Sequence, residues 1–186
     1  MKMNDPGSIY NDGTYYKNNN LWHAEDSSWK GKKILEILLK NNLSLNKICE
    51  VGCGAGKILE YLSHKMPNSS FDGYDISADA IKLTRDVSSK KINFLNKEVN
   101  EIEKYYDLLL CIDVFEHVRD YMGFIEEIKT KSHYKIFHIP LDISVSSILR
   151  GQLMYTRKQV GHLHYFTKET ALETLKDVNY EIIDYY

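Results

Sequence analysis

Apolar residues recur along this chain with two different periods. Over 28–41 they fall at Ile34, Leu35, Ile37, Leu38 and Leu39 among lysines, a spacing that predicts an amphipathic helix. Lys30, Lys32 and Lys33 are expected on its solvated face. The run KICEV at 47–51 predicts a short buried strand that opens into glycines. A helix is expected over 56–66, with Ile58, Leu59 and Leu62 inward, then a strand over 70–75, a helix over 78–87 and a strand over 92–95. The stretch DLLLCI at 107–112 is apolar in the way of a strand covered on both faces. Beyond it the pattern predicts a helix over 119–131, a strand over 134–139 closed by Pro140, a helix over 167–178 capped by Thr167, and a last strand over 180–186. Strands alternating with helices predict an α/β fold whose sheet is mostly parallel, with helices on both faces. Ligands of such sheets sit beyond the carboxyl ends of the strands, where the strand order reverses.

The first strand leads into ICEVGCGAG, residues 48–56. Glycine lets backbone approach a ligand closely because no side chain holds it off. The spacing Gly52, Gly54, Gly56 is not the G-x-G-x-x-G of dinucleotide sites, and Glu50 is a poor neighbour for phosphate. Lys57 follows Gly56, but Ile58 stands where a phosphate loop needs a hydroxyl. Asp75 ends the second strand, where a carboxylate can accept hydrogen bonds from both hydroxyls of a ribose. A less favoured role is to cap the next helix. Asp72 is a weaker rival, since it should lie inside the strand.

Composition narrows the partners. Net charge is −2 with both signs interspersed, so no basic stripe points to nucleic acid. The longest apolar run, at 108–112, is far too short to span a membrane. The first residues lack the apolar core of a signal peptide. Cys49, Cys53 and Cys111 are an odd set, suited to a reducing compartment, and their spacing is not that of a zinc site; they are expected as small core residues in a cytoplasmic protein. Residues 1–27 show no period and are expected as an arm or lid, and 28–186 as one domain; His23, with Trp22 and Trp29, could cover the ligand, but a plain packing role is favoured for them.

Taken in order, EVGCGAG, the acid of GYDIS, CIDVFEHV at 111–118 and HLHYFTKETALETL at 162–175 give a resemblance. Over about residues 30–186 the chain resembles the class I S-adenosylmethionine-dependent methyltransferases, in the branch that includes the ubiquinone-biosynthesis O-methyltransferases (methyltransferase types 11 and 12). The resemblance implies a Rossmann-like doubly wound sheet. It implies that the backbone of Gly52, Cys53, Gly54 and Gly56 packs against the methionyl part of S-adenosylmethionine, organised by Glu50. Asp75 would hold the ribose hydroxyls, and Ile76 would cover one adenine face. Glu98, in NFLNKEVNEI, would lie near the adenine amino group with Val99 beside it, although the family more often has aspartate there. Ile112, between Cys111 and Asp113, would line the wall near the sulfonium.

The acceptor side leaves alternatives. Should a helical turn follow the fourth strand, Asp113, Glu116 and His117 share one face. His117 can then serve as general base with Asp113 orienting it. In the resembled branch, acids and a histidine at these positions accompany a divalent ion, which would lower the pKa of an acceptor oxygen. Glu116 and His117 can also simply brace the turn. His164 is a second candidate base, or with His162 an anchor for its loop. His138, before Pro140, faces either the pocket or the core. The expected function is methyl transfer from S-adenosylmethionine to a small molecule, at a hydroxyl oxygen or, less favoured, an amine. The rivals are a nicotinamide-dependent oxidoreductase, whose third glycine should come one position later, and a non-catalytic cofactor-binding partner domain. The resembled fold closes with an antiparallel strand beside the fifth. The sequence stops before one, so a continuation past Tyr186 is expected; an open edge would instead favour pairing with another chain, which leaves monomer and homodimer both open.

Overall fold

In the computed structural model, which describes residues 24–186, the two periods resolve into five parallel strands and the helices that connect them. A single 3-10 turn, Ala24–Asp26, leads into α1 (Ser27–Lys40). There follow β1 (Lys47–Val51), α2 (Lys57–Lys65), β2 (Ser70–Asp75), α3 (Ala78–Leu83), β3 (Ile92–Asn96) and β4 (Tyr106–Ile112). The second half holds α4 (Tyr121–Lys129), β5 (Ser132–His138), α5 (Val145–Leu149), α6 (Gln152–Gln159) and α7 (Lys168–Asp177).

The strand order is β3-β2-β1-β4-β5. The chain runs outward from β1 to β3, then crosses back to place β4 on the other side of β1. This crossing opens a crevice beyond the carboxyl ends of β1 and β4. The alternation along β4 divides the core in two. Leu108, Leu110 and Ile112 face α1 and α2, against Ile34, Leu38, Leu59 and Leu62. Leu109 and Cys111 face the opposite layer, against Phe115, Ile125, Ile128 and Leu175. Side chains cover both faces of β4, which is why Leu108–Ile112 is apolar without interruption.

Several boundaries differ from expectation. The helix expected over 78–87 ends at Leu83 and continues as a 3-10 turn, Thr84–Asp86. The helix expected over 119–131 starts at Tyr121, because Asp120 caps it by accepting the N–H of Gly123 at 3.0 Å. The fifth strand starts two residues early, at Ser132. Thr167 does cap α7, its hydroxyl accepting the N–H of Thr170 at 3.2 Å. No strand forms over 180–186. That segment runs beside α1, where Asp184 accepts from Lys40 at 2.8 Å and from Asn41 at 2.9 Å. The helices α5 and α6 were not expected; neither buries a residue, so they carry no apolar stripe to read. Trp22 and His23, and with them most of the expected lid, lie outside the described residues.

Candidate active site

The loop after β1 is fastened to β2. The N–H groups of Gly52 and Cys53 both donate to the Tyr74 carbonyl, at 2.8 and 3.0 Å. The N–H of Gly54 donates to Asp75 Oδ2 at 2.9 Å, and Asp75 Oδ1 accepts from Ser77 N–H at 2.8 Å. Gly52 has φ of +72°, and a Cβ there would lie 2.5 Å from Val114 Cγ2. Both conformation and space therefore demand glycine. Asp75 is buried, and burial raises its pKa against the two backbone donors. Asp75 does not itself cap α3, since the Ser77 hydroxyl does so by accepting the N–H of Ala80 at 3.4 Å; Asp75 holds the loop and that cap residue, and it lines the crevice.

The crevice is a cavity of about 680 Å³, within the range of small-molecule sites. Glu50, Gly52, Cys53, Gly54, Asp75, Ile76, Glu98, Val99 and Ile112 all line it. Ile76 presents an apolar surface, 48% exposed. Glu98 lies exposed at the start of a 3-10 turn, its N–H donating to Glu101 at 2.8 Å. Gly56 does not line the cavity; it closes the loop at the start of α2 with φ of +72°. Glu50 is fully buried, its Oε2 has no hydrogen-bond partner, and burial followed by the nearby Asp75 pushes its pKa well up. Asp72 has no part in the cavity. It is held inside by Tyr106 at 2.5 Å, Lys104 at 2.7 Å and Asn93 at 2.8 Å.

The acceptor end departs from expectation. Asp113 follows β4 with φ of +53°, a left-handed conformation that swings its carboxylate sideways. Its partners are Lys30 Nζ at 2.6 Å and His138 Nδ1 at 2.5 Å, not His117. Lys30 is not on a solvated face: it is buried, and its ammonium also meets Asp26 at 2.8 Å. Burial acts to lower the Lys30 pKa, but Asp113 and Asp26 outweigh it and raise it. Burial acts to raise the Asp113 pKa, but His138 and Lys30 hold it below the usual carboxylate range.

The grouping of Asp113 with Glu116 and His117 as metal donors is therefore replaced. Glu116, His117 and His162 bring ligand atoms within 4.8 Å of one another, and Asp113 is engaged elsewhere. Glu116 is buried with neither carboxylate oxygen hydrogen-bonded, and burial followed by Asp113 raises its pKa far above normal. His162 is fixed by Asp142 at 2.6 Å and packs edge-on to His117. His164 is not a base in this arrangement. It lies outside the cavity and its Nε2 donates to the Val118 carbonyl at 2.9 Å, anchoring the loop, with its ring against Tyr121. The three cysteines are free and buried.

Lys30 had a sequence signal. It lies four residues before Ile34 and eight before Leu38, on the stripe that α1 buries. A cation on such a stripe requires a buried partner. Phe124 and Val160, which also line the cavity, carried no comparable signal. Among the described residues no helix is long and apolar enough to cross a membrane.

Comparison with known proteins bears on this site. A family profile described as a methyltransferase domain matches residues 21–185. Malonyl-[acyl-carrier protein] O-methyltransferase 2 of Ilyobacter polytropus is 35% identical over 99 residues, 50% of this chain and 38% of that protein. A ubiquinone biosynthesis O-methyltransferase of Rickettsia typhi is 32% identical over 88 residues, 46% of this chain and 36% of that protein. The matched segment thus spans little more than a third of either relative. In fold, the chain is similar to the plantazolicin methyltransferase BpumL, solved with a monoazolic desmethylPZN analogue and SAH: TM-score 0.72, 18% identity, covering 93% of this chain and 72% of that one.

Proposed function

This chain belongs to the methyltransferase-domain family and has the class I methyltransferase fold, and we propose that it is an S-adenosylmethionine-dependent enzyme that carries the methyl group to a hydroxyl oxygen of a small-molecule acceptor. The observation that carries the reading is the fastening of Gly54 to Asp75 at the mouth of the crevice between β1 and β4. It presents bare loop backbone, a carboxylate and the apolar face of Ile76 in one cavity. Those groups suit a charged methionyl part, a ribose and an adenine respectively. The unpartnered Oε2 of Glu50 adds an acceptor at the buried end.

In this reading Asp75 holds the ribose hydroxyls, Ile76 and Val99 cover the adenine, and Glu98 meets the amino group at its edge. Gly52, Cys53 and Gly54 support the methionyl part, with Ile112 on the wall. When bound, S-adenosylmethionine supplies an electrophilic methyl on a positively charged sulfur. The chain's own task is to hold the acceptor in line with it, which can contribute about 7–11 kcal/mol of barrier reduction at best. The oxygen acceptor is supported by the names of the two relatives, both O-methyltransferases. Phe124, Pro140 and Val160 leave room on that side for a small, partly apolar molecule.

The test is transfer from methyl-labelled S-adenosylmethionine to three panels of small acceptors: phenols and alcohols, carboxylic acids, and amines. Label in the hydroxyl panel, released as an ether, is the expected result. Label only in the amine or carboxylate panel would overturn the hydroxyl assignment.

A further inference from the structure

We propose that His138 is the general base that removes the acceptor's proton, with Asp113 as the residue that positions it. This rests on the reading of a hydroxyl acceptor. A neutral hydroxyl is a poor nucleophile and gains from a base within reach.

The geometry starts from strand register. His138 ends β5 opposite Ile112, and the N–H of Asp113 donates to the His138 carbonyl at 3.0 Å. The two residues are locked side by side at the carboxyl edge of the sheet. The left-handed turn at Asp113 then aims Oδ1 at His138 Nδ1, while Lys30 donates to Oδ2. An ionised carboxylate only accepts hydrogen bonds, so Nδ1 carries the proton. Nε2 is left with its lone pair, and the imidazole, 40% exposed, lines the cavity. The Trp29 ring lies nearly perpendicular to it, with centroids 6.2 Å apart. His162 also has a carboxylate partner, but its side chain is only 10% exposed and its ring abuts His117. His138 is the more accessible of the two.

In the step itself, the acceptor O–H bond breaks and its proton moves to Nε2. The oxygen pair forms the new O–CH3 bond as the carbon–sulfur bond opens, leaving its electron pair on sulfur as a neutral thioether. The imidazolium, stabilised by Asp113, later gives the proton to water. The charged or titratable groups that line the cavity with this imidazole include Asp113 after β4, Lys30 and Asp26 from α1 and the turn before it, Glu50 in β1, Asp75 at the end of β2, Lys57, Lys97 and Glu98, and His117, Arg119 and His162. Asp113 is the one in contact.

The test is 15N NMR of the histidine side chains in the full chain with S-adenosylhomocysteine added, for wild type, Asp113→Asn and His138→Gln. Asparagine tolerates the left-handed conformation, and Lys30 keeps Asp26 as a partner, so Asp113→Asn should fold. Lys30 can donate only to the amide oxygen, which turns the amide NH2 toward His138. We expect the wild-type His138 as the Nδ1–H tautomer with bare Nε2, and the Nε2–H tautomer in Asp113→Asn. With a hydroxyl acceptor, kcat should fall about 10²–10⁴-fold in His138→Gln, while KM and S-adenosylhomocysteine binding change less than about threefold. An Nε2–H tautomer in wild type, or an unchanged kcat in His138→Gln, would each overturn the assignment. Failure of wild type to bind S-adenosylhomocysteine would instead remove the cofactor reading beneath it.

Discussion

Asp75 Oδ2 accepts the N–H of Gly54 at 2.9 Å, across the gap between the ends of β2 and β1. Its other oxygen accepts from Ser77, the cap of α3. One carboxylate thus fixes both the glycine loop and the turn that carries Ile76. Two of the expected contacts of a nucleoside ligand hang from a single side chain.

Asp75→Asn separates shape from chemistry. Both oxygens face backbone donors, so an amide must set its NH2 against one of them. A buried donor left unmet costs about 1–3 kcal/mol. Thermal unfolding should show a loss of that size, and S-adenosylhomocysteine affinity should fall by at least ~10-fold (about 1.4 kcal/mol). An affinity equal to wild type would show that Asp75 serves the loop alone.

Gly52→Ala should be worse than Gly151→Ala. Both glycines have positive φ, +72° and +65°, and each substitution carries a left-handed penalty of about 1–2 kcal/mol. Only at Gly52 does the new methyl meet a neighbour, Val114 at 2.5 Å; Gly151 faces open space. Calorimetric titration should show ligand binding impaired in Gly52→Ala and kept in Gly151→Ala, which has no contact with the cavity.

Asp72 makes stability sensitive to acid. Burial acts to raise its pKa, but Lys104, Tyr106 and Asn93 outweigh it and depress it below the unfolded value of about 3.9. A carboxylate depressed in the folded state stabilises fully above the unfolded pKa, and the contribution is lost as pH falls through the folded one. Between pH 7 and pH 3, Tm of wild type should therefore drop further than Tm of Asp72→Asn. Equal slopes would show that the network carries no such linkage.

Much of the fold was legible because burial leaves a period in the sequence. LLLCI at 108–112 is apolar throughout since both of its faces are covered, and the glycine loop after KICEV marked the crevice. The nine residues expected around the cofactor and found lining the cavity all lie at or just past the carboxyl ends of strands, which topology brings together. What escaped reading depends on conformation that no pattern records. The partner of Asp113 was misassigned to His117: a helical turn does follow β4, at Phe115–His117, but the left-handed φ of Asp113 turns its carboxylate to His138 and Lys30. Lys30 was placed with its neighbours on a solvated face, although its spacing from Ile34 and Leu38 put it on the inner one. The strand expected over 180–186 fails because Asp184 binds the end of α1 in place of strand pairing.

The most direct measurement is calorimetric titration of this chain with S-adenosylhomocysteine and, in parallel, with NADH, using wild type and Asp75→Ala. Micromolar binding of S-adenosylhomocysteine, lost in Asp75→Ala, with no binding of NADH, is the expected result. Binding of NADH without binding of S-adenosylhomocysteine would contradict the assignment of the crevice and of every residue placed around it.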